Sequence, residues 1–184
     1  MLEEIHLKTP LTDDVIERLY AGTKVLISGE LYTARDAAHK RLSKMITSKK
    51  ELPFDIKGAI IYYVGPTPAK PGHVIGSAGP TSSYRMDIFT PALIELGLKG
   101  MIGKGPREEP VKKAIKKFKA IYFAAIGGAG ALLSEKIINS EVIAFKDLGT
   151  EAIRRLEVKD FPAIIVNDIF GNDLFEQGNN QFKR

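Results

Sequence analysis

The amino-acid sequence predicts one compact domain of the α/β class. Short apolar runs typical of strands alternate along the chain with segments of helical periodicity, which is the pattern of α/β folds. The 184 residues suit a single domain, 1–184, and contain no internal repeat or low-complexity linker. A strand-rich stretch at residues 59–77 predicts a smaller β layer beside the main sheet.

Eight strands are predicted from short apolar runs and from period-two alternation. They lie at residues 4–7, 24–28, 59–64, 74–77, 100–102, 120–125, 141–144 and 163–167.

The helices are predicted from apolar residues at i, i+3 and i+4 and from residues that cap helix ends. Thr12 begins the first helix, which runs to about residue 19, and Thr33 is the expected N-cap of the second. Thr90 followed by Pro91 is a typical helix start, and Gly97 is the expected stop. Further helices are expected at residues 108–118, 129–136 and 150–156, and the polar tail 177–184 is expected to fray.

The composition excludes several kinds of site. The chain has no cysteine, so it cannot form disulfides, use a thiolate or hold a Cys-ligated metal or cluster by itself. Its three histidines are widely spaced and lack carboxylates at ligand spacing, which argues against a self-contained metal site. No apolar run reaches the roughly 20 residues of a membrane span and the first residues do not resemble a signal peptide, so we expect a cytoplasmic protein without a membrane partner.

The net charge of +5 does not require a nucleic-acid partner. Five lysines between residues 112 and 119 alternate with apolar residues at helical spacing, which predicts an amphipathic helix with a solvated lysine face. No aromatic-interleaved basic stripe and no known nucleic-acid motif accompanies them. Nucleic-acid binding therefore ranks below the other functions considered for this chain.

Three cations lie at loops or helix starts instead of on solvated helix faces. Arg35 and Arg85 fall in the predicted first turns of helices, where a positive charge opposes the helix dipole and costs about 0.3–1 kcal/mol. Lys104 stands between two glycines directly after a predicted strand. Ligand sites in α/β proteins lie beyond the carboxyl ends of strands, so we expect these cations to hold a small dianion. The alternative is that each arginine forms an exposed ion pair with a following aspartate, Asp36 or Asp87.

Residues 79–86 combine a Gly-Pro turn, three hydroxyl side chains and Arg85 where a strand gives way to a helix. Hydroxyls beside backbone N–H groups and a cation can hold a carboxylate and move a proton next to it. Ser82 or Ser83 is also a suitable N-cap for the helix that holds Arg85. The remaining hydroxyls, including that of Thr81, are then free for a ligand.

Other motifs are better explained by structure than by chemistry. Gly127-Gly128-Ala129-Gly130 resembles a dinucleotide-binding fingerprint, but Leu133 replaces the final glycine, so close strand–helix packing is the better explanation. His39 is expected to be a hydrogen-bonded structural histidine. No Ser-His-Asp set or nucleophile elbow supports covalent acyl transfer.

Five segments, taken in order, resemble signatures of the β-type subunit of class I fumarases and tartrate dehydratases. They are Ser28-Gly29 followed by Tyr32-Thr33-Ala34-Arg35-Asp36-Ala37-Ala38-His39-Lys40-Arg41, then Gly79-Pro80-Thr81-Ser82, Arg85-Met86-Asp87, Ile102-Gly103-Lys104-Gly105 and Glu157-Val158-Lys159-Asp160-Phe161-Pro162-Ala163. The resemblance runs from about residue 11 to residue 175, and five linked motifs at fitting spacing are highly specific.

The resemblance implies a swivelling β/β/α fold and an iron–sulfur hydro-lyase. In that family a separate α subunit, or an N-terminal domain in single-chain versions, holds a [4Fe-4S] cluster with three cysteines, and the fourth iron coordinates the substrate. The lack of cysteine in this chain fits a division in which a cysteine-bearing α subunit holds the cluster. The resemblance therefore implies a hetero-oligomer that acts on a small dicarboxylate.

The resemblance also implies roles for the candidate residues. Arg35 and Arg85 match the arginines that bind the substrate carboxylates, and Lys104 matches the active-site lysine. Thr81 matches the threonine proposed as the base that removes the C3 proton of malate.

The other loop residues match the family less closely. Ser82 stands where a second threonine is usual, and it keeps the hydroxyl. Ser83 and Tyr84 occupy positions that vary within the family and often hold smaller residues. We include all three among the expected substrate contacts.

Three functions remain open. The resemblance favours the β subunit of a fumarate hydratase, which converts fumarate and water to (S)-malate and is active only with its α subunit. The β subunit of an L-tartrate dehydratase, which converts tartrate to oxaloacetate, shares every motif above. A non-catalytic dicarboxylate-binding module that kept the fold is the alternative of another class.

Overall fold

The computed structural model describes residues 4–125 and 128–182. The strands are β1 (Ile5–Lys8), β2 (Lys24–Thr33), β3 (Ile60–Tyr62), β4 (Gly100–Gly103), β5 (Ile121–Ala124), β6 (Ile137–Ala144) and β7 (Ile153–Asn167). The α-helices are α1 (Asp13–Ile16), α2 (Asp36–Thr47), α3 (Thr90–Glu95), α4 (Glu109–Phe118), α5 (Gly130–Ser134) and α6 (Leu174–Phe182). Two 3₁₀ helices cover Ser83–Met86 and Lys146–Glu151.

Five of the strands close a ring. β2, β3, β4 and β5 are neighbours in that order and run parallel. β7 is antiparallel to both β5 and β2 and joins them, which turns the sheet into a closed, barrel-like ring. β1 lies parallel beside the first half of β2, and β6 lies antiparallel beside the first half of β7. The result is a single mixed α/β domain, as the alternation of elements predicts.

Both faces of the ring strands are buried, in two separate apolar clusters. Ile60 and Tyr62 of β3 belong to one cluster, while Ile61 between them belongs to the other. β5 alternates in the same way. The second cluster includes buried residues of α2, α3 and α4, so these helices cover the outer face of the ring.

Helix α4 has the predicted amphipathic form. Val111, Ala114 and Ile115 are buried, whereas Lys113 and Lys116 are exposed. Within the described ranges, no helix has the length and apolar character needed to cross a bilayer.

The strand predicted at residues 74–77 is wrong. Residues 65–77 form a loop in which the Thr67 N–H donates to the Ser77 carbonyl at 3.1 Å. Gly76 lies so close to Thr67 that a Cβ would clash with it, which leaves no room for the regular side-chain alternation of a strand. The smaller β layer predicted at residues 59–77 is therefore reduced to β3, which belongs to the main sheet.

The helix predicted at residues 150–156 is also wrong. A 3₁₀ helix ends at Glu151 and β7 begins at Ile153. Ile153 and Leu156 are spaced like one face of a helix, but both are buried in a strand that pairs with β6 and, from Arg155 onward, with β2. Long-range pairing overrides the local periodicity here.

Thr33 is not the N-cap of α2, because its side chain is used across the sheet. Thr33 Oγ1 donates to the Ala152 carbonyl at 3.1 Å and accepts the Arg154 N–H at 2.9 Å. α2 instead begins at Asp36, with Arg35 in the N-cap position. The predicted helix after Thr90 is present, and Gly97, with φ of +114°, follows its end as predicted.

The C-terminal segment is helical where the sequence predicts a frayed tail. α6 continues through Phe182, and it packs against β7. Residues 183–184 lie outside the described residues.

Candidate active site

The carboxyl ends of β2, β3 and β4 lie side by side at one edge of the ring, because these strands are parallel neighbours. Arg35 follows β2 and Lys104 follows β4. The segment that begins at Thr81 crosses the same edge, where its backbone bonds to residues 63 and 104. We call this region the strand-end edge; it consists of Arg35, Thr81, Ser82, Arg85 and Lys104.

Arg35 is held at the start of α2 by a carboxylate from a distant part of the chain. Its Nη2 lies 3.6 Å from Glu151 Oε1, and its side chain is 24% exposed. Glu151 Oε2 accepts the Ala37 N–H at 2.8 Å, so the same carboxylate satisfies a free amide of the helix N-terminus. Gly65 lets the Arg35 guanidinium pack against the backbone, and a Cβ at this position would displace it. The predicted partner Asp36 is used elsewhere.

Arg85 lies in the last turn of the 3₁₀ helix Ser83–Met86, not in the first turn of a helix as predicted, so the predicted cost against the helix dipole does not apply to it. Its Nη2 lies 3.1 Å from Asp36 Oδ2, and its side chain is 36% exposed. The predicted alternative, a pair with Asp87, does not form because Asp87 is buried and paired with Arg107. Since Asp36 is the chain neighbour of Arg35, this ion pair brings the two arginines together.

Thr81 and Lys104 are placed next to each other by backbone hydrogen bonds. The Lys104 N–H donates to the Thr81 carbonyl at 3.3 Å, and the Thr81 N–H donates to the Tyr63 carbonyl at 2.7 Å. Ser82 forms an isolated parallel bridge with Lys104, so this loop extends the sheet beside the end of β4. Thr81 and Ser82 are partly exposed and Lys104 is exposed. Within residues 4–125 and 128–182, no carboxylate lies at ion-pair distance from the Lys104 ammonium.

Ser83 and Tyr84 have opposite environments. Ser83 is completely buried, and its Oγ lies 2.9 Å from Tyr122 Oη. A Cβ at Gly103 would clash with that hydroxyl, so a glycine before Lys104 lets the two loops pack closely. Tyr84 is 60% exposed. The structure thus brings Tyr84 to the surface beside Arg85 and directs the Ser83 hydroxyl into the interior.

His39 supports Arg35 from within the protein. It is fully buried, and its Nδ1–H donates to the Arg35 carbonyl at 2.9 Å, as its own amide does at 2.8 Å. Burial lowers the pKa of His39 to about 4, so its ring is neutral near pH 7. The prediction of a hydrogen-bonded structural histidine is confirmed.

Sequence reasoning misses a buried polar layer under the strand-end edge. Four of its members are buried side chains joined by hydrogen bonds, namely Tyr63, Asp87, Thr90 and Arg107. The Arg107 guanidinium stacks on the ring of the fifth member, Tyr122. The sequence gives no spacing or motif that would single out these residues. Arg107 follows a Gly-Pro pair in a loop, Tyr63 follows β3 and Tyr122 lies within β5. Their connection appears only when the fold brings four separate segments together.

Close packing of the backbone explains the part of the run Gly127-Gly128-Ala129-Gly130 that the structure describes. The Ala78 N–H donates to the Gly130 carbonyl at 3.0 Å, and a Cβ on Gly130 would lie 2.9 Å from the backbone nitrogen of Gly79. Gly127 lies outside the described residues. The expected close approach of backbones is therefore found at Gly130, between α5 and the turn that precedes Thr81.

The donor set of this chain does not fit an iron–sulfur cluster. In the ranges 4–125 and 128–182 no three or more His, Asp or Glu side chains group so as to hold a metal ion. The sequence also has no cysteine, the usual cluster ligand. The strand-end edge instead offers three cations and two partly exposed hydroxyls, a set suited to binding a small anion and moving a proton.

Comparison with known proteins agrees with this geometry. Residues 1–178 match the family described as Fumarase C-terminus. The chain is 41% identical over 158 residues to the class I, anaerobic fumarate hydratase of Escherichia coli (strain K12), an alignment that covers 85% of this chain and 29% of that protein. It is 41% identical over 157 residues to the mitochondrial fumarate hydratase 1 of Leishmania major, covering 84% of this chain and 29% of that protein.

A third relative is matched along most of its length. The protein of Methanocaldococcus jannaschii named "Putative L(+)-tartrate dehydratase subunit beta" is 37% identical over 175 residues, covering 92% of this chain and 90% of that protein. This chain thus spans less than a third of the two fumarate hydratases and nearly all of the third relative. The family match over residues 1–178, together with these identities, shows that the chain belongs to the Fumarase C-terminus family.

Proposed function

We propose that this chain is the β subunit of a heteromeric hydro-lyase that reversibly hydrates fumarate to (S)-malate in the cytoplasm. The observation that carries the proposal is the strand-end edge, where Thr81 and Lys104 lie side by side at the same end of the ring as two arginines. Two arginines and a lysine suit the two carboxylates of a C4 dicarboxylate. The relatives named fumarate hydratase support this choice of substrate. We assign the closed ring to the swivelling β/β/α class.

The proposed enzyme needs a second chain. A [4Fe-4S] cluster would be held by a cysteine-bearing α subunit, because this chain has no cysteine and its described residues form no metal site. The relative named as a subunit beta supports a two-chain arrangement. The residues of this chain then hold the substrate carboxylates and handle the proton at C3.

Arg35 and Arg85 bind the carboxylates in this proposal. Removal of the C3 proton of malate builds negative charge on the adjacent carboxylate. Cations fixed beside that group stabilise the transition state more than the ground state, which accelerates the reaction. Glu151 and Asp36 hold the two guanidinium groups in place before substrate arrives.

Thr81 is the proposed base. In the direction from malate to fumarate its deprotonated Oγ1 takes the C3 proton while the C2 hydroxide leaves, and in the direction of hydration it returns that proton to C3 as hydroxide adds to C2. A cluster held by the α subunit would supply the Lewis acid for the hydroxide. A threonine hydroxyl is a weak base at its ordinary pKa, so it needs a neighbouring cation that stabilises its deprotonated form. Lys104 lies in the adjacent extended segment and supplies that charge. Ser82 contacts the substrate, and Ser83 supports the loop from the interior.

Anaerobic co-expression with a cysteine-bearing α subunit tests the proposal. We expect the complex to interconvert fumarate and (S)-malate, and the isolated chain to do neither. Turnover of tartrate but not malate would favour the tartrate dehydratase alternative, which the 90% coverage of the Methanocaldococcus relative supports. Dicarboxylate binding by the isolated chain, with no turnover in any reconstitution, would favour the non-catalytic module.

We also propose that the α subunit covers Tyr84 and Ile88. These side chains are 60% and 83% exposed and stand on either side of Arg85 in the chain. Single exposed apolar residues are common on protein surfaces, so the proposal rests on the position of these two beside Arg85. The α subunit is the partner that must approach this surface, because in the proposed enzyme the substrate lies between the two chains.

A further inference from the structure

Arg107 places a charged group in the interior directly under the strand-end edge. The residue is 3% exposed, and its guanidinium is paired with buried Asp87, whose Oδ1 lies 2.7 Å from Arg107 Nε. Burial acts to lower the pKa of Arg107, but Tyr63 and Asp87 raise it above its ordinary value, so the group stays charged. A buried ion pair is often no more stable than an apolar replacement, so its presence calls for another explanation.

The guanidinium connects three elements. Its Nη2 donates to Thr90 Oγ1 at 2.9 Å and to Tyr63 Oη at 3.4 Å. Its carbon lies 5.3 Å from the centre of the Tyr63 ring and 4.8 Å from that of Tyr122. A planar fork packed against aromatic rings is an arrangement that arginine makes and lysine cannot.

Each partner of Arg107 is bonded to a segment of the strand-end edge. Tyr122 Oη donates to the carbonyl of Gly105, next to Lys104, and lies 2.9 Å from Ser83 Oγ. Asp87 Oδ2 accepts the Glu108 N–H at 2.6 Å, which ties the end of the Arg85 segment to the end of the Lys104 loop.

Two further contacts complete this support. Thr90 Oγ1 donates to the Met86 carbonyl at 2.8 Å, directly after Arg85. The Tyr63 carbonyl accepts the Thr81 N–H. The two segments that carry Thr81, Arg85 and Lys104 therefore share one buried support.

We infer that Arg107 is a positioning residue, which holds the segment from Thr81 to Arg85 in fixed register with Lys104. The consequence for catalysis rests on the proposed function, since Arg107 itself is buried and cannot touch a substrate. Misplacement of reacting groups by about 1 Å can cost about 100-fold in rate. A rigid support under both segments guards against that loss.

Three amides report the register directly: those of Thr81, Ser83 and Lys104, which bond to Tyr63, Lys104 and Thr81, respectively. Amide hydrogen exchange of the full chain alone is measured for the wild type, for Arg107→Lys and for Tyr122→Phe. The second variant keeps the ring and removes only the hydroxyl that joins Ser83 to Gly105. The control is Arg155→Lys, an exposed arginine whose Nη2 lies 2.7 Å from Glu141 Oε2 on β6.

The expected result is exchange at least about tenfold faster at these amides in Arg107→Lys, a smaller increase in Tyr122→Phe and no change in Arg155→Lys. In the reconstituted complex, kcat per cluster-loaded complex should fall about 10- to 100-fold in Arg107→Lys, with a smaller change in KM because Arg35 is untouched. A residue that only stabilises the fold would lower the yield of complex and leave both constants unchanged.

Wild-type exchange at the three amides in Tyr122→Phe and in folded Arg107→Lys would overturn the proposal. So would faster exchange accompanied by wild-type kcat per loaded complex. If the wild-type complex turns over no dicarboxylate, the proposed function fails, and the exchange experiment still decides whether Arg107 holds the two segments in register.

Discussion

The strand-end edge and helix α4 are both rich in cations, but they place them in opposite ways. On α4, Lys116 and Lys117 lie in the last turn, where the helix dipole stabilises positive charge. At the strand-end edge, Arg35 occupies the N-cap of α2, where the dipole opposes it. The last-turn lysines of α4 therefore suit their helix, whereas Arg35 is held against a local cost; Arg85, in the last turn of its 3₁₀ helix, is not.

The ion pairs of the two regions differ as well. Lys112 of α4 lies 2.6 Å from Asp173, and Lys119, the residue after the helix, lies 2.6 Å from Glu17, which ties the helix to distant parts of the chain. At the strand-end edge Arg35 lies 3.6 Å from Glu151 and Arg85 lies 3.1 Å from Asp36, so these ion pairs are longer. The positions of Arg35 and Lys104 at the ends of strands, and not the number of cations, are the reason that we propose a binding site here.

The largest effect is expected from loss of the proposed base, Thr81, at the strand-end edge. Thr81→Ala in the reconstituted complex should lower kcat by about 10²- to 10⁴-fold, because a positioned base contributes that much. Exchange of the C3 proton of malate should disappear while substrate binding stays within a few-fold of the wild type. Thr81→Ser keeps the hydroxyl and is the matched control. A defect confined to binding would contradict the role of Thr81 as base.

Removal of a cation should lower turnover at the strand-end edge but not on α4. Arg85→Ala should lower kcat/KM by about 10²- to 10³-fold, since it removes a cation aimed at the developing charge. Lys116→Ala on α4 should leave kcat/KM unchanged. Both variants should assemble and unfold at nearly the wild-type temperature. Wild-type turnover by Arg85→Ala would remove this residue from the site.

The apolar surface beside Arg85 offers a third comparison. Ile88→Asp should weaken binding of the α subunit at least about tenfold, because a charge would be buried in the proposed interface. Ile138→Asp, which changes a half-exposed isoleucine on β6, is the matched control. Titration calorimetry or analytical ultracentrifugation measures the affinity. Equal affinity for both variants would place the interface elsewhere.

The smallest expected effect lies on α4 and concerns stability. Burial acts to raise the pKa of Asp173, but hydrogen bonding from Lys112 lowers it below its ordinary value. The pKa of an aspartate in an unfolded chain is about 3.9. Because the pKa of Asp173 is lower in the folded protein, its contribution to stability is present above the unfolded pKa and is lost as the pH falls through the folded pKa. Lys112→Met should therefore lower the free energy of unfolding by about 1–2 kcal/mol at pH 7 and by less below pH 4.

Denaturant titrations of both proteins at several pH values measure this effect. Turnover of the reconstituted Lys112→Met complex should equal that of the wild type. A pH-independent difference in unfolding free energy would show that the ion pair is not its source.

The fold was predictable where local patterns agree with tertiary structure. The amphipathic helix from Glu109 and the strands ending before Lys104 and Ala125 follow from period and composition alone. The helix predicted at residues 150–156 was wrong because Ile153 and Leu156 have a helix-like spacing inside a long strand. The pairing partners of that strand lie far away in sequence, so the local pattern does not reveal it.

The sequence predicts that three cations lie together, and the structure brings them to one end of the ring, but their ion-pair partners were not predictable. Arg35 at the start of α2 and Lys104 after β4 stand out in the sequence, whereas Arg85, predicted in the first turn of a helix, lies in the last turn of a 3₁₀ helix. Their ion-pair partners depend on which loops meet in space, and the resemblance of the sequence to the family supplied Thr81. Arg107 carries no local signal, because its burial depends on tyrosines contributed by other elements.

Strand β7 has a consequence for how the chain becomes functional during synthesis. It pairs Lys24 with Ile164, so β2 leaves the ribosome long before the strand that closes the ring beside it. Glu151 and Ala152, which fix Arg35 and Thr33, emerge just ahead of that late strand. A nascent chain that stops before residue 153 leaves the edge of β2 unpaired and open to misassociation. Arg35 thus gains its ion pair with Glu151 only after both segments have left the ribosome.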